Sequence, residues 1–406
     1  MQENNTAGYK HTPIGLLPTD WIVDIIENLG QVKRGAGSQY LNYLENDGIR
    51  FIRINDFFEN NPVYVEATKA ILRFCIEDND ILFAGTGASA GASYIPKKEW
   101  LGLPHSYNAP RIRVNSNQNR QFILYSLQSD YIAKQQKELF VGAAQPFLDT
   151  TAIANFIIAI PPLPEQQKIA TILSTWDAAI DNCKAIIDNL KQRNKGLAQQ
   201  LLTGKIRVKG FEKAKWHFFP IHKIAKEISL KNPSDKELIV MSCTKYDGLV
   251  PSLEYFGRKI YSDDLTTYKI VKKGQFAYAT NHIEEGSIGY QSKFDEALIS
   301  PMYTVFQTDD TINDNLLFKI LKSHEYIHQY QKRMEGSIDR RGGLRWDEFS
   351  KIKVPVIDLE EQNAIVDILD AATLELNQYQ QQLQTLQQHK KGLMQQLLTG
   401  RVRVKI

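Results

Sequence analysis

The run from Lys195 to Lys209 recurs as Lys391 to Lys405, with 12 of 15 positions identical. The offset of 196 residues holds without a gap back to Glu165-Gln166 and Glu361-Gln362, through Ile169/Ile365, Leu173/Leu369 and Leu190/Leu386. A match of this length is a duplication, and it forces the chain to build one structural unit twice.

Each copy reads as one long helix. Ile169, Leu173, Trp176, Ile180, Cys183, Ile187, Leu190, Leu197 and Leu201 recur at alternating steps of three and four residues. Ile365, Leu369, Ala372, Leu376, Tyr379, Leu383, Leu386, Leu393 and Leu397 repeat the pattern, so both segments carry a coiled-coil seam. The seams are broken at matching places by polar residues, Asn194 and Lys390. A polar group there lowers stability but penalises misaligned partners, which predicts that the two helices pair antiparallel in a fixed register. A helix of about 37 residues is roughly 55 Å long, the length of a spacer. Pro161-Pro162 starts the first helix, and Gly204 and Gly400 are its natural stop and that of its copy. Gly196 and Gly392 lie inside the helices at a cost of about 1 kcal/mol each, which predicts close backbone approach there.

The remaining residues divide into two small globular regions of mixed α/β (α+β) pattern. The expected layout is a domain over 1–150, a helical spacer over 151–209, a domain over 210–350 and a second spacer over 351–406, with a pseudo-twofold internal repeat. The globular regions are far less alike than the helices. Trp21 answers Trp216, and the apolar run Asp80 to Ala84 matches Gly274 to Tyr278. The formal charge of +3 does not announce nucleic-acid binding. Residues 1–150 carry 14 Lys+Arg against 16 Asp+Glu, and residues 205–350 carry 23 against 20, so contact with a polyanion requires local clusters or a partner. Cys75, Cys183 and Cys243 are scattered and read as reduced thiols. The absence of a long apolar run predicts a cytoplasmic protein with no membrane contact.

The run Leu163 to Ile169, the long helix and the Gln-Gln-Leu-Leu-Thr-Gly ending, present in two copies, resemble the specificity subunit of Type I restriction-modification enzymes. The second copy departs at Asp358-Leu359-Glu360, where the first has Pro162-Leu163-Pro164. The resemblance implies a non-catalytic subunit with two target-recognition domains, each reading one half of an asymmetric, interrupted site in double-stranded DNA. It further implies that the paired helices set the spacing and dock two methyltransferase subunits, and through them restriction (motor-nuclease) subunits. Cofactors are then expected on the partners: S-adenosylmethionine for methylation, ATP and Mg for translocation and cutting.

Base reading calls for forked donors and amides, and phosphate contact for positive charge. On that chemistry the candidates in the first domain are Lys33, Arg34, Gln39, Tyr40, Arg53, Arg111 and Arg113. In the second they are Lys231, Asn232, Arg258, Lys259, Asn281, His282, Arg340, Arg341 and Arg345. Two alternatives place chemistry in this chain. His324 and His328 with Glu348 fit a zinc-binding pattern, but a basic loop intervenes and the duplication stays unexplained, so no metal site is expected. Gly85-Thr86-Gly87 and Asn61-Pro62-Val63-Tyr64 resemble the cofactor loop and catalytic tetrapeptide of a self-contained adenine methyltransferase. They lie too close in sequence to flank the intervening strand-helix units of such a fold.

Overall fold

In a computed structural model, the described residues are 8–140, 146–232, 237–335 and 343–406. The chain separates into two compact units, Met1–Ala185 with Gln381–Ile406, and Ile186–Gln380. The division runs through both long helices, so each unit owns one globular region and half of each helix.

The first unit holds β1 (Ile22–Ile25), β2 (Gly30–Lys33), β3 (Asp80–Phe83), β4 (Ser93–Tyr94), β5 (Arg111–Val114), α1 (Arg120–Leu127), α2 (Asp130–Phe140) and β6 (Ile157–Ile160). Four of the strands form an antiparallel sheet in the order β2-β5-β3-β4, and β6 pairs separately with β1. Helix α1 begins where the Asn119 side chain accepts the Phe122 N–H at 2.9 Å, which satisfies a donor that the first turn leaves free. The first long helix, α3 (Leu163–Leu202), follows Pro161-Pro162, as expected. Its opening residues Ile169 and Leu173 share one core with Trp21, Ile81, Phe83, Phe122, Leu397 and Leu398.

The second unit repeats this plan. It holds β7 (His217–Pro220), β8 (Ala225–Ile228), β9 (Phe276–Ala279), β10 (Ile288–Tyr290), β11 (Tyr303–Thr308), α4 (Asp314–Leu321), α5 (His324–Glu335) and β12 (Lys353–Val356). The sheet order is β8-β11-β9-β10, the same permutation as in the first unit, and β12 pairs with β7. The second long helix, α6 (Leu359–Leu397), opens on Asp358, whose carboxylate accepts the Glu360 N–H at 2.8 Å. An acidic N-cap therefore replaces the prolines of the first copy. Ile365 and Leu369 join Leu201, Ile221, Phe276, Tyr278, Phe306 and Phe349 in the core.

Two expectations are corrected. The matching strands lie one residue away from the apparent sequence match: Ile81 pairs with Ile112, seven residues before Asn119, and Phe276 pairs with Phe306, seven before the equivalent cap Asn313. Ile81 and Phe83 thus occupy the places of Phe276 and Tyr278, because strand alternation must turn the large side chains toward the helices. Gly196 and Gly392 meet no close neighbour either, since a Cβ built on each finds nothing within 4 Å. The terminal glycines are where approach is close: a Cβ at Gly204 would lie 3.1 Å from the Trp216 ring, and one at Gly400 2.4 Å from Pro18. Both have positive φ, 69° and 63°, which a side chain would strain.

Candidate nucleic-acid interface

The repeated Glu-Gln pair at the start of each long helix is a clasp. In the first unit Gln166 accepts the Asn119 N–H at 3.0 Å and donates to the Pro161 carbonyl at 3.0 Å. Gln362 does the same with Asn313 and Ile357, at 2.6 and 2.8 Å. Glu165, fully buried, accepts two bonds from Arg403 at 2.7 and 2.8 Å and one from the Trp21 indole at 3.1 Å. Glu361, equally buried, accepts two from Arg207 at 2.8 and 2.7 Å. Each guanidinium also lies over a tryptophan, Arg403 5.9 Å from the Trp21 ring centre and Arg207 5.7 Å from that of Trp216. Hydrogen bonding to the buried carboxylate holds both arginines above their ordinary range. Forked, charge-assisted pairs of this kind tie the start of each long helix to the segment that follows the end of the other.

Within each unit the two helix halves run antiparallel, as contacts at 165/403 and 177/390 in one and 194/372 and 207/361 in the other require. Both polar seam residues have cross-helix partners. Lys390 bonds Asp177 at 2.5 Å, and the same carboxylate accepts the Tyr125 hydroxyl at 2.6 Å. Burial, followed by that bond, pushes Tyr125 up to about 12. Asn194 donates to the Ala372 carbonyl at 2.8 Å. Along the seam, Ile169, Leu173, Ile180, Leu190, Leu201, Ile365, Leu369 and Leu397 are buried, while Leu197, Leu376, Leu386 and Leu393 are half-buried.

At the loop end of the first sheet lies a cleft of about 1150 Å³, lined by Gln39, Arg53, Phe58, Thr86, Gly87 and Tyr107 among others. The Gly85-Thr86-Gly87 segment therefore forms a cleft wall, turned by Gly87 at φ 84°. Lys33 and Tyr40 are exposed, Tyr40 with its ring 5.3 Å from Phe74. The Arg34 guanidinium stands over two rings, 4.2 Å from the centre of Tyr107 and 5.2 Å from that of Phe147. Arg53 donates to the Asn61 carbonyl at 3.2 Å and lies 3.9 Å from Asp56, a carboxylate already bonded by Arg50 at 3.0 Å.

Arg111 and Arg113 do not join this cleft. Antiparallel register sets Arg113 opposite Asp80, which is fully buried and bonded by Arg113 at 2.9 and 3.1 Å and by Arg111 at 3.4 Å. Arg111 is only 6% exposed, and burial pulls its guanidinium below the ordinary range. Asp80 lies some thirty residues upstream, so pairing across strands rather than local sequence decides the fate of both arginines.

In the second unit the equivalent loop, Thr280-Asn281-His282, lines two smaller depressions of about 240 and 480 Å³. Asn281 borders both. The Leu344 N–H donates to the Thr280 carbonyl at 2.9 Å, which brings exposed Arg345 to the larger depression beside Lys269 and Trp346. Exposed Arg258 and Lys259 adjoin Ile260 and Tyr261 of the smaller one, with Lys259 paired to Asp263. Lys231 is exposed, whereas Asn232 is fully buried, its N–H bonded to the Tyr268 carbonyl at 3.0 Å, and is thereby removed from the interface. Arg340 and Arg341 lie outside the described residues.

His324 and His328 are exposed on α5, and Glu348 is paired with Lys351 at 2.6 Å. Among the described residues, the donors near enough to share an ion are those of His282, Glu284 and Glu285, within 4.8 Å of one another and exposed or half-buried. No described helix is long and apolar enough to cross a membrane.

Two mixed α/β units, each clasped to halves of two long helices, define the class of the fold. Residues 18–192 match the family model described as the Type I restriction modification DNA specificity domain. The chain is 26% identical over 357 residues to the Type I restriction enzyme MjaVIII specificity subunit of Methanocaldococcus jannaschii, covering 81% of this chain and 80% of the relative. It is 25% identical to the putative MjaX specificity subunit of the same organism, covering 100% and 99%. Among solved structures it is similar to the HsdS subunit of Thermoanaerobacter tengcongensis, with TM-score 0.53, 16% identity and coverage of 95% and 98%. It is also similar to the Type I S subunit of M. genitalium, with TM-score 0.53, 15% identity and coverage of 93% and 96%. Residues 18–192 thus carry the specificity domain of Type I restriction-modification systems, and the chain as a whole is similar to their specificity subunits.

Proposed function

We propose that this subunit reads a two-part site in duplex DNA, one half with each unit, and that the paired helices dock two methyltransferase subunits, through which restriction subunits join. The observation that carries this reading is the contrast between a repeated framework and unlike clefts. Sheet order, caps and clasps match, while the loop ends carry Arg34, Gln39 and Arg53 in one unit and Asn281, His282 and Arg345 in the other. Two copies of one support bearing different side chains suit two different half-sites.

In this reading Lys33, Lys231 and Arg258 hold phosphates and set the position of the duplex, and the cleft residues address base edges. The chain itself supplies no catalytic group. S-adenosylmethionine belongs to the methyltransferase subunits and ATP with Mg to the motor-nuclease, in a cytoplasmic assembly.

Binding-site selection with the chain and its methyltransferase partners tests the modular assignment. Arg53→Ala is expected to reduce discrimination in one half-site and Arg345→Ala in the other, each by about 1–3 kcal/mol. An equal loss in both halves for either variant would refute it.

A further inference from the structure

The arginines of residues 1–150 are not equivalent. Arg50 and Arg53 face Asp56, Arg111 and Arg113 face Asp80, and Arg120 faces Asp78. Only Arg34 and Arg73 have no carboxylate partner among the described residues, and of these two only Arg34 is flanked by aromatic rings.

Its position is built from several segments. The Ala36 N–H donates to the His105 carbonyl at 2.8 Å and the Tyr107 N–H to the Ala36 carbonyl at 2.9 Å, so Arg34 and Tyr107 are held in register by backbone bonds. Gly35 between them is pressed against the opposite strand, where a Cβ would lie 2.2 Å from the His105 carbonyl oxygen. Phe147 arrives through a bridge to Thr86, itself a wall of the cleft. The rings are conspicuously open, Tyr107 at 46% and Phe147 at 47% exposure. Stacking occupies the faces of a guanidinium and leaves the N–H donors in its plane, already oriented and partly stripped of water. Such a fork matches the two acceptors, O6 and N7, that guanine alone presents side by side in the major groove.

We propose that Arg34 reads a guanine in the half-site addressed by the first unit, with Tyr107 and Phe147 as its positioning residues. This rests on the two-part reading above. The test is selection from a randomised duplex library by the full chain with its methyltransferase partners, together with the salt dependence of binding. The wild-type complex is expected to require guanine at one position. Arg34→Ala and Arg34→Lys should each lose about 5- to 150-fold of discrimination at that position alone. Tyr107→Leu should weaken the same position to a lesser degree, and Arg73→Ala should leave the preference intact. If the wild-type complex selects a two-part site and the Arg34 variants select the same bases, the guanine assignment is overturned while the two-part reading stands. A uniform loss with a salt slope reduced by about one identifies a phosphate contact and also overturns it. A wild-type complex that selects no sequence overturns both.

Discussion

The clasp and the cleft within each unit evolved under different physical demands. Glu165 with Arg403 and Glu361 with Arg207 make the same forked pair under a tryptophan, at the same place in both copies of the repeat. The clefts share only their position at the loop end of the sheet, at about 1150 Å³ in one unit and 240 and 480 Å³ in the other. A buried carboxylate tolerates one solution, a cation with matching geometry, because a lone buried charge is costly. A solvated loop has no such constraint and is free to diverge.

Removing the cation probes the shared part most strongly. Arg403→Ala and Arg207→Ala each leave a fully buried glutamate without its partner, and each is expected to destabilise its unit by about 3–5 kcal/mol in denaturant unfolding of the full chain. Arg403 also pairs with exposed Asp20 at 2.8 Å, an increment worth less than about 1 kcal/mol. A large effect in one unit only would break the equivalence of the two clasps.

The next largest expected effect separates the units. His105 is the buried member of the eight histidines, and its Nδ1–H donates to the Ala109 carbonyl at 2.7 Å. Burial lowers its pKa from 6.5 to about 4. An unfolded chain therefore takes up this proton below pH 6.5 while the folded one resists until about pH 4, so stability falls as the pH drops through that window. The loss reaches about 3 kcal/mol by pH 4. Hydrogen exchange should show the first unit weakening there, with His105→Gln flattening the response. Equal weakening of the second unit would count against the assignment.

The smallest effect concerns the helix register. Asn194→Ala removes the bond to the Ala372 carbonyl and should cost the second unit about 1 kcal/mol, leaving protection around Asp177 and Lys390 unchanged. Loss of protection at both places would mean that the seam acts as a whole rather than through local partners.

The long helices were legible along the chain, because their apolar spacing is local, and so was the duplication, because two nearly identical runs recur 196 residues apart. The repeat also marked Glu165 and Glu361 without revealing their role, since Arg403 and Arg207 reach them from distant parts of the chain. The candidate interface was less legible. Arg34, Gln39 and Arg53 gather at one cleft, but Arg111, Arg113 and Asn232 look equally available in sequence, and of these Arg111 and Asn232 are held inside the protein while half-buried Arg113 is tied to Asp80.

Sequence by itself determined two repeated helices, two mixed α/β regions and a likeness to the specificity subunits of Type I restriction-modification systems. Tertiary structure alone decided which arginines are free. The strand register that places Arg113 opposite Asp80, and the loop contacts that bring Tyr107 and Phe147 to Arg34, depend on residues far apart along the chain. Helical periodicity is written within a few turns, whereas the partner of a charge is settled only when separate strands are paired.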